Sequence, residues 1–372
     1  MEFTVSKIEL VKELSLSQGV VEKKTTIPVL SNVLIEARDE EITLTATDLE
    51  LGIRCVCPAT IKKPGASTLP SRKLLDYVRL LPDADLNVKV GETHAASITC
   101  GRSRTRMAGM SRENFPELPK VPSAIAQIPP ALLAGLITKV VFAISNEGSR
   151  YTLNGGLLLL KPDSITMVST DGHRLAFVEA QHKFEGISGQ LRALVPKKAM
   201  VEIQKLALET GGAAVGLSND ENNLFFQFGS RLLITRKLTG QFPDYERVLP
   251  RDNERIAVVN RDEFAAAVRR VSQFADERSH AIRVGLAQGE LKLAASGSES
   301  GETEDSVPAE GGTEGGADIQ IGFNAQYLLD FLGAIASETV NLELKDEQSA
   351  GQLRPTGDAD YNYRYVVMPM RI

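Results

Sequence analysis

The chain has 372 residues, 42% of them hydrophobic and 24% charged, with 42 Lys and Arg against 48 Asp and Glu for a formal charge of −6. That length accommodates two or three domains with separate cores, and the composition is that of an ordinary soluble globular protein. No run approaches the roughly 20 apolar residues of a membrane-spanning helix.

From the N-terminus, Met1–Val5 reads as a strand and lacks the basic start and apolar stretch of a signal peptide, so a cytosolic location is expected. A helix follows with Leu10 and Leu14 on one face, and Ser6 is available to cap it. The alternating stretch Glu41–Thr47 reads as a strand that runs into Thr47-Asp48. Cys55, Cys57 and Cys100 are odd in number and poorly spaced for a disulfide framework, which suits reduced structural thiols in a reducing compartment. After Pro70 comes a helical stripe of Leu74, Tyr77 and Leu81.

The same order then recurs twice. Ile128 is followed by Pro129 and Pro130, suited to a helix start, and by Leu133 and Ile137; Val259 is followed by a capping Asn260, then Phe264 and Val268. The strand-like Ser164–Thr170 runs into Thr170-Asp171, 123 residues after Thr47-Asp48, whereas Ser296-Gly297 marks a degraded third copy. Pro196 precedes Met200, Ile203 and Ala207; Asn324 precedes Leu328, Phe331 and Ile335. These stripes are the buried faces of equivalent helices. A period of about 120 residues is too long for a solenoid repeat of roughly 20–50. The prediction is an α+β protein of three like domains, residues 1–124, 125–253 and 254–372, each with two helices on antiparallel sheet.

Charge is uneven across these thirds: 17 basic and 16 acidic residues in the first, 14 and 12 in the second, 11 and 20 in the third. The segment Glu299–Asp318, with seven acids and no Lys or Arg, reads as a solvated loop or a poorly paired edge strand.

Catalytic readings are weak. Asp171 and His173 in Thr170–Leu175 suggest a general-base pair, but Asp48 occupies the equivalent place with no His after it and no G-x-S-x-G element accompanies them. Phosphate-loop and dinucleotide signatures are absent. The four scattered His give no zinc-site spacing, and no Asp/Glu pattern forms a metal loop. No cofactor or metal is expected; the residues point to a scaffold.

Several strings converge on one family: Thr26–Asn32 (TIPVLSN), Thr47–Glu50 (TDLE), Tyr151–Gly155 (YTLNG), Thr170–Ala176 (TDGHRLA), Phe242–Pro250 (FPDYERVLP), Ile321–Asn324 (IGFN) and Tyr365–Ile372 (YVVMPMRI). In this order, over essentially the whole chain, they resemble the bacterial DNA sliding-clamp family, the beta subunit of DNA polymerase III. The resemblance implies a non-catalytic processivity factor: a head-to-tail homodimer of three-domain subunits closed as a ring around duplex DNA, helices lining the hole and sheets forming the shell. It also implies a hydrophobic peptide groove between the second and third domains, walled by Leu153, Thr170, Gly172, His173, Arg174, Leu175, Pro243, Arg247, Val248, Val366, Met368, Pro369, Met370 and Arg371. Methionine suits such a groove because it adapts to several apolar anchors, although a last strand packed in the core would also explain Met368 and Met370. The implied partners are the replicative polymerase, the clamp loader, and translesion polymerases and mismatch-repair proteins carrying short Gln- and Leu/Phe-containing motifs.

A sliding ring needs a diffuse cationic lining, because duplex DNA carries about one negative charge per 1.7 Å. Arg72, Lys73, Arg79, Lys139, Lys197, Lys198, Lys205, Arg269 and Arg270 recur on the equivalent helices, and Lys24 and Arg150 lie in loops that the resemblance assigns to DNA contact. For any single one of them an ordinary solvated helix face competes. The region Ser296–Asp318 is less strand-like than the family pattern, which leaves the subunit joint near Phe274 undefined. The competing reading of the whole chain is a protein-interaction scaffold without DNA encirclement.

Overall fold

Among the described residues six α-helices form, two in each third of the chain, each following a β-strand directly or, for the third, after Pro129. In the computed structural model, which describes all residues except 23–24, 186, 188, 298–300, 313–318, 358–359 and 372, these are α1 (Lys7–Ser17), α2 (Ser71–Leu80), α3 (Pro130–Val140), α4 (Lys197–Glu209), α5 (Arg261–Ser272) and α6 (Ala325–Ala334). The paired apolar positions are buried in every copy, Leu10 and Leu14, Leu133 and Ile137, Phe264 and Val268, because residues four apart share a helix face. In α2 the expected Tyr77 is only half-buried and Val78, one position on, takes the core site. Asn260 caps α5 through the amides of Asp262 and Glu263, and Asn324 caps α6 through those of Gln326 and Tyr327. Ser6 makes no such side-chain bond to α1, so that expected cap is absent.

The chain divides into two compact units, Met1–Ala131 with Val201–Lys237, and Leu132–Met200 with Leu238–Ile372. Each contains one antiparallel 12-stranded sheet system. In the first unit the 13-residue strand Leu51–Lys63 pairs with Glu41–Thr47 and Glu2–Ser6, and also with Arg231–Arg236 from the central third. In the second unit Arg174–Gln181 pairs with Ser164–Thr170 and with Tyr361–Val367 from the last third. The central third of the sequence therefore contributes strands to both sheets. Helix α1 packs on α2, where Ser17 Oγ and Ser71 Oγ lie 2.7 Å apart, and α5 packs on α6.

Of the two expectations for the acidic third-domain segment, a loop or a poorly paired edge strand, a strand forms, and it is well paired. Gly301–Gly311 is a strand paired residue by residue with Glu290–Gly297, from Glu290↔Pro308 to Gly297↔Gly301, and its end also pairs with Ala257–Val259. Its acids fall mainly on the outward phase, Glu302, Glu304 and Glu310 exposed, while Val307 and Ala309 are buried. The inward phase also holds Thr303 and Asp305, which weakens the apolar alternation that marks a strand. Residues 298–300 and 313–318 of that segment lie outside the described residues.

The first unit holds a buried ion pair between helix and sheet. Arg231 donates to both carboxylate oxygens of Glu13, Nε to Oε2 at 2.9 Å and Nη2 to Oε1 at 2.6 Å, and Nη1 reaches Glu209 Oε2 at 3.0 Å. Glu13 and Arg231 are both buried. Removing one partner of such a pair strands an uncompensated charge, so Glu13→Gln is expected to cost about 3 kcal/mol, measured by urea unfolding. All three cysteines are free and buried, and burial pushes the Cys57 thiol up to about 12 and Cys55 higher still. Since the thiolate is the reactive form, both should resist a thiol reagent at pH 8 and react only as the fold opens, with labelling rates that follow unfolding.

Candidate docking groove and cationic helices

The turn at residues 170–174 is built by its own side chains. Thr170 Oγ1 accepts from Gly172 N at 3.0 Å and donates to Arg174 O at 2.6 Å, while Asp171 Oδ1 accepts from His173 N at 2.9 Å and Arg174 N at 3.1 Å. The first unit has the same turn: Thr47 Oγ1 accepts from Leu49 N and donates to Leu51 O, and Asp48 Oδ1 accepts from Glu50 N and Leu51 N. The repeated Thr-Asp pair is thus turn chemistry. The remaining oxygen of Asp171 accepts from Arg174 Nε at 3.0 Å, so this carboxylate is committed to structure rather than to base catalysis. Gly172 holds φ = 91° with Arg150 Nη1 2.6 Å from where a Cβ would stand; a side chain here would meet both strain and a guanidinium.

Arg174 is the hub of this end of the second unit. Its Nη1 donates to Asp330 Oδ2 on α6 at 2.5 Å and its Nη2 to Phe142 O at 2.8 Å; the guanidinium lies 4.2 Å from the centre of the Tyr327 ring. Tyr365, whose phenol burial pushes well above its ordinary value, donates to Tyr327 O at 3.0 Å. Arg174, expected in the groove wall, has its guanidinium engaged inside the protein.

Of the other groove residues, Leu153, Leu175 and Val366 meet in one apolar cluster. Leu175 and Val366 sit opposite each other across paired strands and belong to it with Leu157, Val168, Phe177, Phe242 and Tyr245, while Leu153, Leu238 and Leu249 pack against it partly buried. At 2% and 1% exposed, Leu175 and Val366 are foundation rather than the expected wall, and Thr170 is likewise buried. Gly172, His173, Pro243, Arg247, Val248, Met368 and Arg371 are exposed, and Pro369 and Met370 are half-buried. Val248 and Met368 expose 42% and 45%, unusual for apolar side chains beside a packed cluster, so Met368 is no core residue. The terminal segment is fastened by Met368 N to His173 O at 2.9 Å and Met370 N to Gly322 O at 2.8 Å. Arg247 pairs with Asp244 at 2.8 Å and stays exposed.

The cations separate into two groups. Arg72, Lys73, Lys198 and Arg269 are exposed on their helices. Arg79 donates to Ser15 Oγ, Lys205 pairs with Glu202 at 2.7 Å and Arg270 with Asp305 at 2.7 Å, all from exposed positions. Lys139 and Lys197 depart from a solvent-facing lining, whereas Arg150 is exposed. Lys139 is half-buried over the Tyr361 ring, Lys197 donates to Ile144 O and Asn146 Oδ1, and burial lowers the pKa of both. Arg150 buttresses the 170–174 turn by donating to Asp171 O at 2.6 Å. Lys24 lies outside the described residues.

Residues 1–119, 127–244 and 246–371 match, in turn, the N-terminal, central and C-terminal domains of the DNA polymerase III beta subunit. The beta sliding clamp of Pseudomonas putida is 35% identical over the whole of both chains, and that of Caulobacter vibrioides is also 35% identical over their full lengths. A crystal structure of the Bartonella birtlesii sliding clamp bound to griselimycin superimposes with a TM-score of 0.94 at 34% identity, covering 100% of each chain.

The chain belongs to the DNA polymerase III beta subunit family. It is a sliding clamp of DNA replication, a non-catalytic processivity subunit made of three clamp domains. For a beta subunit, what sequence reasoning missed is the support beneath the groove. Asp330, Phe142 and Tyr327, which hold Arg174, are remote in sequence and carry no local signature, whereas Phe242 and Tyr245 lie in a string already singled out. Among the described residues no helix is long and apolar enough to cross a membrane.

If Arg174 organises this end of the beta subunit, Arg174→Lys keeps a charge but loses the fork that spans Asp171, Asp330 and Phe142 O. It should cost about 3 kcal/mol of stability and speed hydrogen exchange at the Met368 amide, read by urea unfolding and exchange mass spectrometry.

Proposed function

We propose that two copies of this chain join head to tail in a ring around duplex DNA, each copy supplying three modules, residues 1–124, 125–253 and 254–372. The observation that supports this is the threefold recurrence of strand followed by helix, with exposed Arg72, Lys73, Lys198 and Arg269 on helices of all three modules. A heterologous contact whose rotation closes makes a ring, and three modules per chain turn a dimer into a pseudo-sixfold one. A lining of separate exposed cations neutralises phosphates without reading bases, so retention is topological and the ring is free to slide. Lys24, Arg79, Arg150, Lys205 and Arg270 supplement this lining, and Lys139 and Lys197 act chiefly by fixing local structure.

The surface of His173, Pro243, Arg247, Val248, Met368 and Arg371 takes short peptides with Gln and Leu or Phe anchors. Exposed methionine and valine over a packed apolar floor suit an adaptable hydrophobic site. The partners on this reading are the replicative polymerase, the clamp loader, translesion polymerases and mismatch-repair proteins, in the cytoplasm. Three buried free cysteines agree with a reducing compartment. Opening the ring falls to another protein, since the chain carries no nucleotide-phosphate loop.

Protein loaded on nicked circular DNA should persist at moderate salt and leave once the circle is cut. Equal retention on circular and linear DNA rules out encirclement. In the same assay Met368→Ala should leave retention unchanged while weakening a polymerase tail peptide roughly tenfold, the scale of a hot-spot truncation.

A further inference from the structure

The internal repeat places a hollow in the first unit where the second has its apolar cluster. In the second unit Leu157 pairs with Val168 and Leu194, Val168 with Phe177, and Leu175 with Val366. The first unit repeats this lattice: Leu34 pairs with Thr45 and Thr68, Thr45 with Arg54, and Gly52 with Ile234. Register thus equates Val168 with Thr45, Phe177 with Arg54 and Leu175 with Gly52. Two residues along, Leu159 becomes Glu36. The following Phe-Pro dipeptides also correspond, and Phe115 is buried like Phe242. Three apolar positions have become a hydroxyl, a guanidinium and a glycine, Leu118 stands over the glycine, and Thr45 and Arg54 line a cleft of ≈ 420 Å³ between the sheet and residues 112–118.

Two polar groups in this cleft lack partners. Thr45 is 3% exposed and its Oγ1 makes no hydrogen bond, although buried hydroxyls are nearly always satisfied. Arg54 is half-buried, and no described residue bonds or ion-pairs with its guanidinium. Arg112 is different, paired with Glu36 at 2.9 Å. Directly opposed residues on one face have Cβ atoms about 5 Å apart, so Thr45 and Arg54 can address the same pair of oxygens. The apolar part of the lining is Leu34, Phe115, Pro116 and Leu118, with Glu36, Glu113 and Glu117 also at its edge.

We propose that this cleft binds a small monocarboxylate with an apolar body, its carboxylate held by Arg54 and Thr45 and its body packed on Leu34, Phe115 and Leu118. The fork of a guanidinium matches a carboxylate. One guanidinium without a counter-ion calls for one negative charge, and the exposed Glu113 and Glu117 at the rim disfavour a dianion.

The test titrates 4-phenylbutyrate, and in parallel 4-phenylbutanamide, into the full chain with labelled Leu and Thr methyls, followed by NMR. The acid should shift the Leu34, Thr45 and Leu118 methyls saturably and the amide should bind roughly tenfold more weakly, the worth of one charge-assisted contact. Arg54→Phe, which copies Phe177, should abolish binding; Arg54→Gln, the milder change, should erase the preference for acid over amide. Thr45→Val, which copies Val168, should weaken the acid and raise Tm by removing a buried unsatisfied hydroxyl. Equal affinity for acid and amide, an acid preference that survives in Arg54→Gln, or shifts confined to Leu153 of the second unit would each overturn the proposal.

Discussion

The antiparallel pairing of Arg174–Gln181 with Tyr361–Val367 is the constraint on which the second unit depends. These strands come from different thirds of the sequence, and their register sets Leu175 against Val366 and Arg174 against Val367. Because side chains alternate along a strand, a slip of one residue would exchange Leu175 and Val366 for neighbours from the opposite, also buried, face and dissolve the floor beneath the groove. The same register delivers Met368 N to His173 O, which carries the terminal segment across the sheet. Docking surface and sheet continuity are one feature here.

Arg174 secures that register from the side. A guanidinium with so little exposure is tolerable only if its donors are used, and Asp171, Asp330 and the Phe142 carbonyl use them. The Glu13–Arg231 pair does comparable work in the first unit, tying α1 to the strand Arg231–Arg236. In both units, then, a buried arginine joins a helix to the sheet strand it packs near, and neither arginine remains available for a ligand.

The repeated backbone carries two different interiors. Where Val168 and Phe177 help complete a packed floor, Thr45 and Arg54 line a polar cleft. Backbone hydrogen bonding is indifferent to these exchanges, since ladder pairing needs only extended residues with free amides. Side-chain polarity is what differs: a hydroxyl and a guanidinium replace Val168 and Phe177 at little change in volume, and a half-buried guanidinium does not pack into a dry floor as a phenyl ring does. An ancestral repeat can therefore keep its architecture while separate copies acquire separate surfaces.

The sequence by itself determined the helices, the repeat and the family. Apolar residues four apart, such as Leu133 and Ile137, must share a helix face, and ordered strings such as TDGHRLA and FPDYERVLP are specific as text. It also distinguished Asp171 as structural, because Asp48 stands in the same place without a histidine. Tertiary structure alone decided what each polar side chain does. Arg174 was legible as a groove residue but not as one consumed by Asp330, 156 residues away; Lys139 was legible as a helix cation but not as one lying on Tyr361. For Gly301–Gly311 the sequence left a solvated loop and a poorly paired edge strand both open, because the inward phase carries Thr303 and Asp305 beside Val307 and Ala309; pairing with Glu290–Gly297 and Ala257–Val259 overrides that weak alternation. Periodicity reports which face of an element is buried. Which partner meets that face, and how many hydrogen bonds remain for a ligand, depends on residues far away in the chain.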